Sequence, residues 1–367
     1  MDTKKVGGKA VMYGAGNIGR GFIGQLFYLS GYETVFIDVN AELINEINSR
    51  HEYPIFITRE DKFEEFIVKN VRAVNGNNID EVANEIATAD IMATAVGVNV
   101  LKYIAKPIAA GLKLRSEPLN ILICENMLNA DKYLGELLGD TQNVGLVDAS
   151  IGRMVPVTPD EIKEKYPLAI CVEEYNKLPV DKNGFKGEIP EIYNMEPFAP
   201  FEFILQKKLY LHNMAHAVTA YLGFQKGYKY IWEAISDGEI KFVVFSALIA
   251  SACALSREHD VDVYPLVEFS YSLLKRFRNK LLGDTVERVG KDTKRKLAVT
   301  DRIVGALNLC MKHGIDYEYL LRGLSAGLRF YPDVEEVAKF VIEHGVEETL
   351  KIYCGITDEE IIKKMQP

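Results

Sequence analysis

The chain has 367 residues, and its 43 basic and 52 acidic side chains give a net charge of −9. This length predicts two domains, and the composition (48% hydrophobic, 26% charged) is typical of a globular enzyme and excludes a disordered or collagen-like chain. The acidic balance argues against a partner such as nucleic acid or an anionic membrane.

In the first two-thirds of the chain, short apolar strands alternate with helices. Such alternation is typical of an α/β fold with a doubly wound parallel sheet of the Rossmann type. Gly31 is expected to end the first helix. The predicted strands are Lys9–Tyr13, Thr34–Asp38, Asp90–Val96 and Asn120–Cys124, and the first predicted helices are Ile18–Ser30 and Ala41–Asn48.

After residue 198 the pattern becomes mainly helical. We therefore predict a Rossmann-type domain over residues 1–198 and a helical substrate domain over residues 199–367. The stretch Tyr175–Pro200, rich in Asn, Pro and Lys, is predicted to be a loop or a hairpin at the boundary. The predicted helices are Phe201–Gly223, Tyr230–Asp237, Ile240–Glu258, Leu266–Arg278, Thr300–Cys310, Tyr317–Ser325 and Val334–His344.

No targeting or membrane-spanning segment is predicted. Residues Met1–Lys5 lead into a short strand and not into the apolar core of a signal peptide. The longest apolar run, Phe242–Leu255, is shorter than the about 20 residues that a spanning helix needs, and it is interpreted as a buried core helix. Five widely spaced cysteines without a C-x-x-C pair favour reduced thiols in the cytoplasm.

A G-x-G-x-x-G motif follows the first predicted strand and precedes the first predicted helix. Gly14 permits the tight turn, Gly16 lets a pyrophosphate approach the backbone, and Gly19 lets the helix pack closely on the strand. The helix N-terminus offers free N–H groups and a positive dipole to the phosphates. The residues predicted to bind a dinucleotide here are Gly14, Ala15, Gly16, Asn17, Ile18 and Gly19.

Asp38, at the end of the second predicted strand, favours NAD as the cofactor over NADP. A carboxylate at this point can accept hydrogen bonds from both ribose hydroxyls, and it would repel a 2′-phosphate. A later strand ends in a small-residue segment that could lie against the nicotinamide half, although a plain turn explains it equally well. Its predicted cofactor residues are Thr94, Val96 and Gly97.

The first helix of the second domain carries a lysine, an amide and an imidazole. Lys208, His212 and His216 are four residues apart and share one side of the helix, with Asn213 close to them. Lys208 could act as a general base if burial lowers its pKa, and Asn213 could hold the reacting oxygen. There are three alternatives: Lys208 could be a solvated surface residue, a histidine could be a core residue, or His212 and His216 could form a zinc pair.

Two further features could contact substrate. Asn126 follows the strand Asn120–Cys124, at the edge of the sheet where ligands bind, although it could equally cap the next helix. A basic run at 288–296 includes Arg288 and Lys296, which could turn inward from a loop to bind a phosphate or carboxylate. The alternative for this run is a solvated charged loop.

Together these residues resemble a known family. The segment 14–24, the segment 124–127 (Cys-Glu-Asn-Met), the basic run, and the K-x4-N-x2-H pattern of Lys208, Asn213 and His216 are similar to the polyol-specific long-chain dehydrogenase/reductases. Within this mannitol dehydrogenase superfamily, the likeness is to the mannitol-1-phosphate 5-dehydrogenase branch. It extends over nearly the whole chain.

The resemblance implies a zinc-independent, NAD-dependent oxidoreductase that interconverts mannitol 1-phosphate and fructose 6-phosphate without a metal. Lys208 would be the general acid–base, and Asn126 and Asn213 would stabilise the alkoxide-like oxygen. His216, Arg288 and Lys296 would contact the substrate. Members of the family are often monomers.

One position departs from the family pattern. Gly152 stands immediately before Arg153, where the family usually has an aspartate. The substrate could therefore be a different sugar, such as a free polyol or a sugar acid of the fructuronate or tagaturonate type. A non-catalytic protein that senses NAD is a further alternative. Arguing against it is the presence together of Lys208, Asn213, His216 and Asn126.

Overall fold

The computed structural model describes residues 7–59, 62–127, 129–331 and 333–365, so the predictions for Met1–Lys5 lie outside the described residues. The chain divides after Phe201 into two compact units. The predicted domain boundary at residue 198 lies just before this division.

The first unit is built on strands. Within its described residues these are β1 (Gly8–Tyr13), β2 (Tyr32–Asp38), β3 (Glu52–Arg59), β4 (Lys62–Lys69), β5 (Val71–Asn75), β6 (Ile91–Thr94), β7 (Leu119–Ile123), β8 (Val144–Asp148), β9 (Ile170–Glu173), β10 (Leu178–Asp181) and β11 (Met195–Phe198). Its α-helices are α1 (Gly24–Leu29), α2 (Ala41–Arg50), α3 (Ile79–Ala87), α4 (Leu101–Leu112), α5 (Ala130–Leu138) and α6 (Asp160–Lys165).

Six strands form one parallel sheet in the order β5–β2–β1–β6–β7–β8. This is the doubly wound order of dinucleotide-binding domains, so the predicted fold class is confirmed. Both faces of the sheet are covered: Met12 and Phe36 are buried on one face, and Val11 and Val35 on the other. Burial on both sides explains why these strands read as continuous apolar runs.

Successive strands are added toward one edge of the sheet from β1 to β5 and toward the opposite edge from β6 to β8, so the strand order reverses between the neighbouring strands β1 and β6. Tyr13 is paired with Thr94 at the ends of these strands. The loops that follow the two strands therefore begin side by side, and the amide of Ala95 donates to the carbonyl of Tyr13 (2.9 Å). In open α/β sheets this switch point is where ligands bind.

Two smaller sheets belong to the first unit. Strands β4, β3 and β9 form a three-stranded sheet, in which β3 and β4 are an antiparallel hairpin. Strands β10 and β11 pair in parallel. The segment Tyr175–Pro200, predicted to be a loop or a hairpin, thus contains two strands, and their parallel pairing contradicts the hairpin.

The second unit is a helical assembly. Its α-helices within the described residues are α7 (Glu202–Lys207), α8 (Met214–Gln225), α9 (Ile231–Ala234), α10 (Gly238–His259), α11 (Val263–Phe277), α12 (Val286–Gly290), α13 (Thr293–Lys296), α14 (Val304–Lys312), α15 (Glu318–Leu328), α16 (Glu336–Tyr353) and α17 (Glu359–Met365). The basic run 288–296 therefore lies on the short helices α12 and α13, which corrects the prediction of a loop.

The longest apolar helix, α10, lies against α8, α11, α14 and α15. By length and composition it could cross a membrane, but half of its apolar stretch is buried inside the protein. Val244, Leu248 and Ala252 have no exposed surface. This burial is that of a core helix, as interpreted from the run Phe242–Leu255.

Candidate active site

The glycine loop of the first unit has the shape that a dinucleotide requires. Gly14 has a φ of +99°, and a side chain there would strike Ala95. A Cβ at Gly19 would overlap the carbonyl of Gly14. By contrast, Gly16 is exposed, and nothing lies within 4 Å of where its Cβ would be. Open space over this one glycine fits a pyrophosphate against the backbone.

The helix that follows this loop begins with a π-helical turn, Gly19–Ile23, before it becomes α1. The sequence predicted a continuous α-helix over Ile18–Ser30. Arg20 points back into the protein, and its Nε donates to the carbonyl of Ala15 (2.6 Å). The loop residues Asn17 and Ile18 remain at least partly exposed.

Asp38 lies beside the glycine loop and fixes it. Its Oδ2 accepts a hydrogen bond from the amide of Ala15 (2.9 Å), and its Oδ1 accepts from the amides of Val39 and Asn40. A carboxylate has about four acceptor positions, so capacity remains for ribose hydroxyls. The residues of this loop therefore fit an NAD molecule.

A buried glutamate holds the second loop of the switch point. Oε1 of Glu125 accepts from the amide of Val96, and Oε2 accepts from that of Gly97, both at 2.8 Å. Gly97 is exposed with a φ of +91°. No role was predicted for Glu125 from the sequence. Its signals in the sequence were its place after β7 and its membership of the family-like segment 124–127.

The predicted residues around this loop differ in accessibility. The side chain of Thr94 is wholly buried, so we expect it to support the loop and not to reach a ligand. Asn126 is exposed after the end of β7. It does not cap α5, because the residue at that position is Asn129, which makes no side-chain capping bond. The capping alternative for Asn126 is therefore wrong.

In the second unit, the predicted catalytic helix contains a second π-helical turn, which spans Lys208–Asn213 between α7 and α8. In a π-helix the hydrogen bonds join residue i to residue i+5, and such turns are frequent at functional sites. The backbone of Asn213 therefore lies one turn beyond that of Lys208. The K-x4-N spacing of the motif matches this turn.

Lys208 has a pKa suited to proton transfer. Burial, followed by the nearby charge of Arg302, lowers the pKa of Lys208 to about 8. Arg302 is itself nearly buried and donates to Oδ1 of Asp301 (2.7 Å). Arg302 was not predicted as a site residue, because it lies just before α14, outside the motif and outside the basic run.

The two histidines have different environments. His212 is buried, and burial together with the charge of Arg276 holds its pKa well below the ordinary value, so it is neutral. The ring of His216 stacks on Phe277, with centroids 4.7 Å apart, and its Nε2 lies 3.2 Å from Oδ2 of Asp284. His212 is thus a core residue, whereas His216 is held at an ionic site.

Within the described residues, no group of three His, Cys, Asp or Glu side chains is arranged to hold a metal ion. The zinc alternative for His212 and His216 therefore has no third ligand among those residues.

The basic run separates into two kinds of residue. Lys296 is buried: its Nζ donates to the carbonyl of Val289 (2.7 Å), and burial lowers its pKa to about 8. Arg288 is exposed and ion-paired with Asp284. The others form surface ion pairs with neighbouring acids, as the solvated alternative predicted; they are Lys291, Lys294 and Arg295.

Gly152, the departure from the family pattern, faces an aromatic ring. A Cβ at this position would lie 3.2 Å from Cε1 of Tyr175. The next residue, Arg153, is buried, and its Nη1 donates to Oε1 of Gln25 (2.6 Å) and to the carbonyl of Gly21. A larger residue at 152 would require the Tyr175 ring to move.

Comparison with known proteins covers both units. The model of the mannitol dehydrogenase Rossmann domain matches residues 8–194, and that of the mannitol dehydrogenase C-terminal domain matches residues 199–365. Mannitol-1-phosphate 5-dehydrogenase from Thermoanaerobacter pseudethanolicus is 37% identical over 97% of both chains. The enzyme of the same name from Brevibacillus brevis is 38% identical over 97% of this chain and 96% of its own.

Solved structures share the fold. A D-sorbitol dehydrogenase in substrate-free form superposes with a TM-score of 0.81 over 99% of this chain and 93% of its own, at 13% identity. Pseudomonas fluorescens mannitol 2-dehydrogenase, in a ternary complex with NAD and D-mannitol, gives a TM-score of 0.66 at 15% identity. That match covers 98% of this chain and 88% of the neighbour.

Proposed function

This chain belongs to the mannitol dehydrogenase family, and we propose that it is an NAD-dependent oxidoreductase that interconverts D-mannitol 1-phosphate and D-fructose 6-phosphate. Support for the substrate comes from relatives at 36–38% identity over nearly the full length, whose shared name is mannitol-1-phosphate 5-dehydrogenase. Support for the chemistry comes from one observation above all, the lowered pKa of Lys208 within a π-turn that also contains Asn213.

The first unit binds the cofactor in this proposal. The backbone at Gly16 and the start of the following helix hold the pyrophosphate, and Asp38 accepts from the ribose hydroxyls. Glu125 fixes the loop at Val96 and Gly97. Bound NAD supplies the acceptor and donor of a hydride.

Lys208 is the general acid–base. When the alcohol is oxidised, its neutral Nζ takes the proton of the reacting hydroxyl, and in the reverse direction the ammonium returns that proton. The amide of Asn213 donates a hydrogen bond to the oxygen on which negative charge develops. We assign the same kind of hydrogen bond to the amide of Asn126. No step of this mechanism requires a metal ion, so we expect activity that is independent of zinc.

Cations of the second unit bind the anionic end of the substrate. Arg288 is largely exposed, with guanidinium donors beyond the one that meets Asp284. The ammonium of Lys296 keeps two protons after it donates to Val289. His216 contacts a substrate hydroxyl. We propose that the enzyme is cytoplasmic, in line with its five free cysteines. We also propose that it acts as a monomer, as the family resemblance implies.

The substrate is tested by NADH oxidation at 340 nm, with EDTA present and with fructose 6-phosphate, free fructose and fructuronate in parallel. Fast turnover with fructose 6-phosphate alone is the expected result. Turnover with another sugar would keep the dehydrogenase chemistry and change the substrate, with Gly152 as the first position to examine. Absence of turnover with all three would favour the NAD-sensing alternative.

The role of Lys208 is tested by Lys208→Ala. Loss of a general acid–base is expected to lower kcat on the order of 10²–10⁴-fold. NADH affinity, measured by fluorescence titration, is expected to stay within about twofold, because the dinucleotide loop lies in the other unit. The neighbouring Lys207→Ala is the matched control, and near-wild-type kcat in Lys208→Ala would contradict the assignment.

A further inference from the structure

A buried carboxylate joins two of the residues proposed to contact substrate. Oδ2 of Asp284 lies 3.2 Å from Nε2 of His216, and Oδ1 accepts a hydrogen bond from Nη2 of Arg288. Only 9% of the Asp284 side chain is exposed, against 60% of the Arg288 side chain. The carboxylate therefore lies beneath a guanidinium whose outer part is free to meet an anion.

The backbone around Asp284 is fixed by a second segment of the chain. The carbonyl of Asp284 accepts from the amide of Ile231 (2.9 Å), and the amide of Val286 donates to the carbonyl of Lys229 (2.9 Å). The hydroxyl of Thr285 caps α12 by accepting from the amide of Arg288 (3.2 Å). These hydrogen bonds fix the position of the Asp284 carboxylate relative to the first turn of α12.

His216 is held on its other side by an aromatic ring. It stacks on Phe277 with an interplanar angle of 14°, which fixes the plane of the imidazole. The 3.2 Å contact of Nε2 with the carboxylate is not aligned as a hydrogen bond, but the negative charge facing Nε2 favours the neutral tautomer with its proton on that nitrogen. Nδ1 then remains an acceptor. A substrate hydroxyl could donate to that nitrogen.

The charges are consistent with an ionised carboxylate. Burial by itself would raise the pKa of Asp284, but the contacts with His216 and Arg288 outweigh it, and the pKa is lowered. The negative charge of Asp284 offsets the positive charge of Arg288. Its contribution is then to hold donors and acceptors in place, and not to add attraction for the substrate.

We propose that Asp284 is a positioning residue: it fixes the Nε2–H tautomer of His216 and the orientation of Arg288 for the sugar phosphate. This proposal rests on the function proposed above. Asp284 does not itself bind the substrate. Partners that orient metal-binding side chains typically account for about 10–100-fold in affinity or activity, and we expect an effect of the same order for Asp284.

The kinetic test compares Asp284→Asn, Asp284→Ala and Asp284→Glu with the wild-type enzyme. We expect the KM for fructose 6-phosphate to rise about tenfold or more in the Asn and Ala variants. The Glu variant should recover part of the loss, and NADH affinity should not change. Asp237→Asn, which removes a capping carboxylate elsewhere in the same unit, is the matched control and should leave the KM unchanged.

The tautomer is read independently of turnover, by NMR of protein with ¹⁵N-labelled histidine. The His216 signal is assigned from its loss in His216→Gln. In the wild-type protein it is expected to show protonated Nε2, and in Asp284→Ala a mixture of tautomers. An unchanged signal in Asp284→Ala, or an unchanged KM in all three variants, would overturn the positioning role.

The two proposals fail in different ways. Absence of wild-type turnover with fructose 6-phosphate would refute the proposed substrate, while the His216 signal would still decide the role of Asp284. A double variant adds a further check. If Asp284 acts through Arg288, then Arg288→Ala should raise the KM by a smaller factor in the Asp284→Asn background than in the wild-type enzyme.

Discussion

Lys208 and Arg302 are coupled by like charge in the interior of the second unit. Two cations that share a poorly hydrated environment each disfavour protonation of the other. Burial is the larger cause of the lowered pKa of Lys208, about 8, and the charge of Arg302, which arginine keeps under all ordinary conditions, lowers it further. Oxidation of the alcohol needs neutral Lys208 and should rise with pH through this value. Reduction of the ketone needs the ammonium and should fall.

Arg302→Gln tests this coupling. Removal of the positive charge, with Asp301 left nearby, should raise the pKa of Lys208, so the rising limb of the oxidation profile should move to higher pH. At pH 7 the oxidation rate is expected to fall about threefold. The check is kcat for mannitol 1-phosphate oxidation from pH 6 to pH 10. Arg322→Gln, a change at an exposed arginine paired with Glu318, should leave the limb in place.

If the rising limb of the oxidation pH profile does not move in Arg302→Gln, burial alone sets the pKa of Lys208. A limb that moves equally in Arg322→Gln would point to a general effect of net charge.

Asp38 is predicted to set the cofactor preference. In Asp38→Ser the repulsion of a 2′-phosphate is lost, so NADPH should bind several-fold more tightly. NADH should bind more weakly, because the bond to the amide of Ala15 is also lost. The measurement is the Kd of both dinucleotides by fluorescence. Asp38→Asn is the matched variant, since it removes the charge and keeps an acceptor. An unchanged ratio of the two Kd values in both variants would assign the preference to another residue.

The sequence predicted elements best where packing is regular. Four of the six strands of the parallel sheet, β1, β2, β6 and β7, were located to within about two residues, because burial on both faces makes them apolar throughout. The other two strands, β5 and β8, were not predicted. The hairpin of β3 and β4 was missed. Only Val68 of β4 is buried, and charged side chains such as Lys62 and Glu64 limit its apolar run to the three residues 66–68. Hydrophobicity alone does not reveal such a strand.

The two π-turns could not be read from sequence either. A change from i+4 to i+5 hydrogen bonding depends on tertiary packing, and the same side chains suit both forms. The motif residues Lys208, Asn213 and His216 were identified from sequence because their types and spacing are specific. Asp284, Glu125 and Arg302 were not, because each is an ordinary charged residue whose role depends on folding against distant segments.

The short helix α12 makes a close contact with the segment that follows α15. Its last residue, Gly290, faces the buried ring of Phe330, and a Cβ there would overlap that ring. Gly290→Ala should therefore lower the free energy of unfolding by about 1–3 kcal/mol and raise the KM for the sugar phosphate, because α12 carries Arg288. Gly238→Ala is the control, since no heavy atom lies within 4 Å of its added Cβ.

Chemical denaturation of the three proteins, with kinetics on each, gives both readouts. Equal stability of the Gly290 and Gly238 variants would show that the ring of Phe330 moves aside without cost. A loss of stability without a change in KM would separate the packing of α12 from the position of Arg288.

At the scale of the whole molecule, the local charge around the catalytic segment is opposite in sign to the net charge of the chain. The net charge of −9 disfavours an anionic substrate, yet the second unit gathers Lys208, Arg276, Lys296 and Arg302 around its catalytic segment. Such local positive charge can attract an anion that the molecule as a whole repels. Binding of the sugar phosphate should accordingly weaken as ionic strength rises, because salt screens these attractions.

Global stability should depend on one acidic group at the end of β8. Burial, followed by the charge of Asp131, raises the pKa of Asp148 to about 7. A carboxyl whose pKa is higher in the folded protein than in the unfolded chain stabilises the fold below the unfolded value, and this contribution is lost as pH rises through the folded value. Asp148 should thus lower the stability of the whole protein between about pH 4 and pH 7.

Asp148→Asn removes this dependence while keeping an oxygen that can accept from the amide of Asp131. The variant should have a higher Tm than the wild-type protein at pH 8, and the difference should shrink or reverse at pH 5. Thermal unfolding at both pH values checks this, with Asp181→Asn as the control, since Asp181 contributes least to the shift. A Tm difference that is the same at both pH values would mean that Asp148 is ionised throughout, because only a group that titrates in this range can make the two curves diverge.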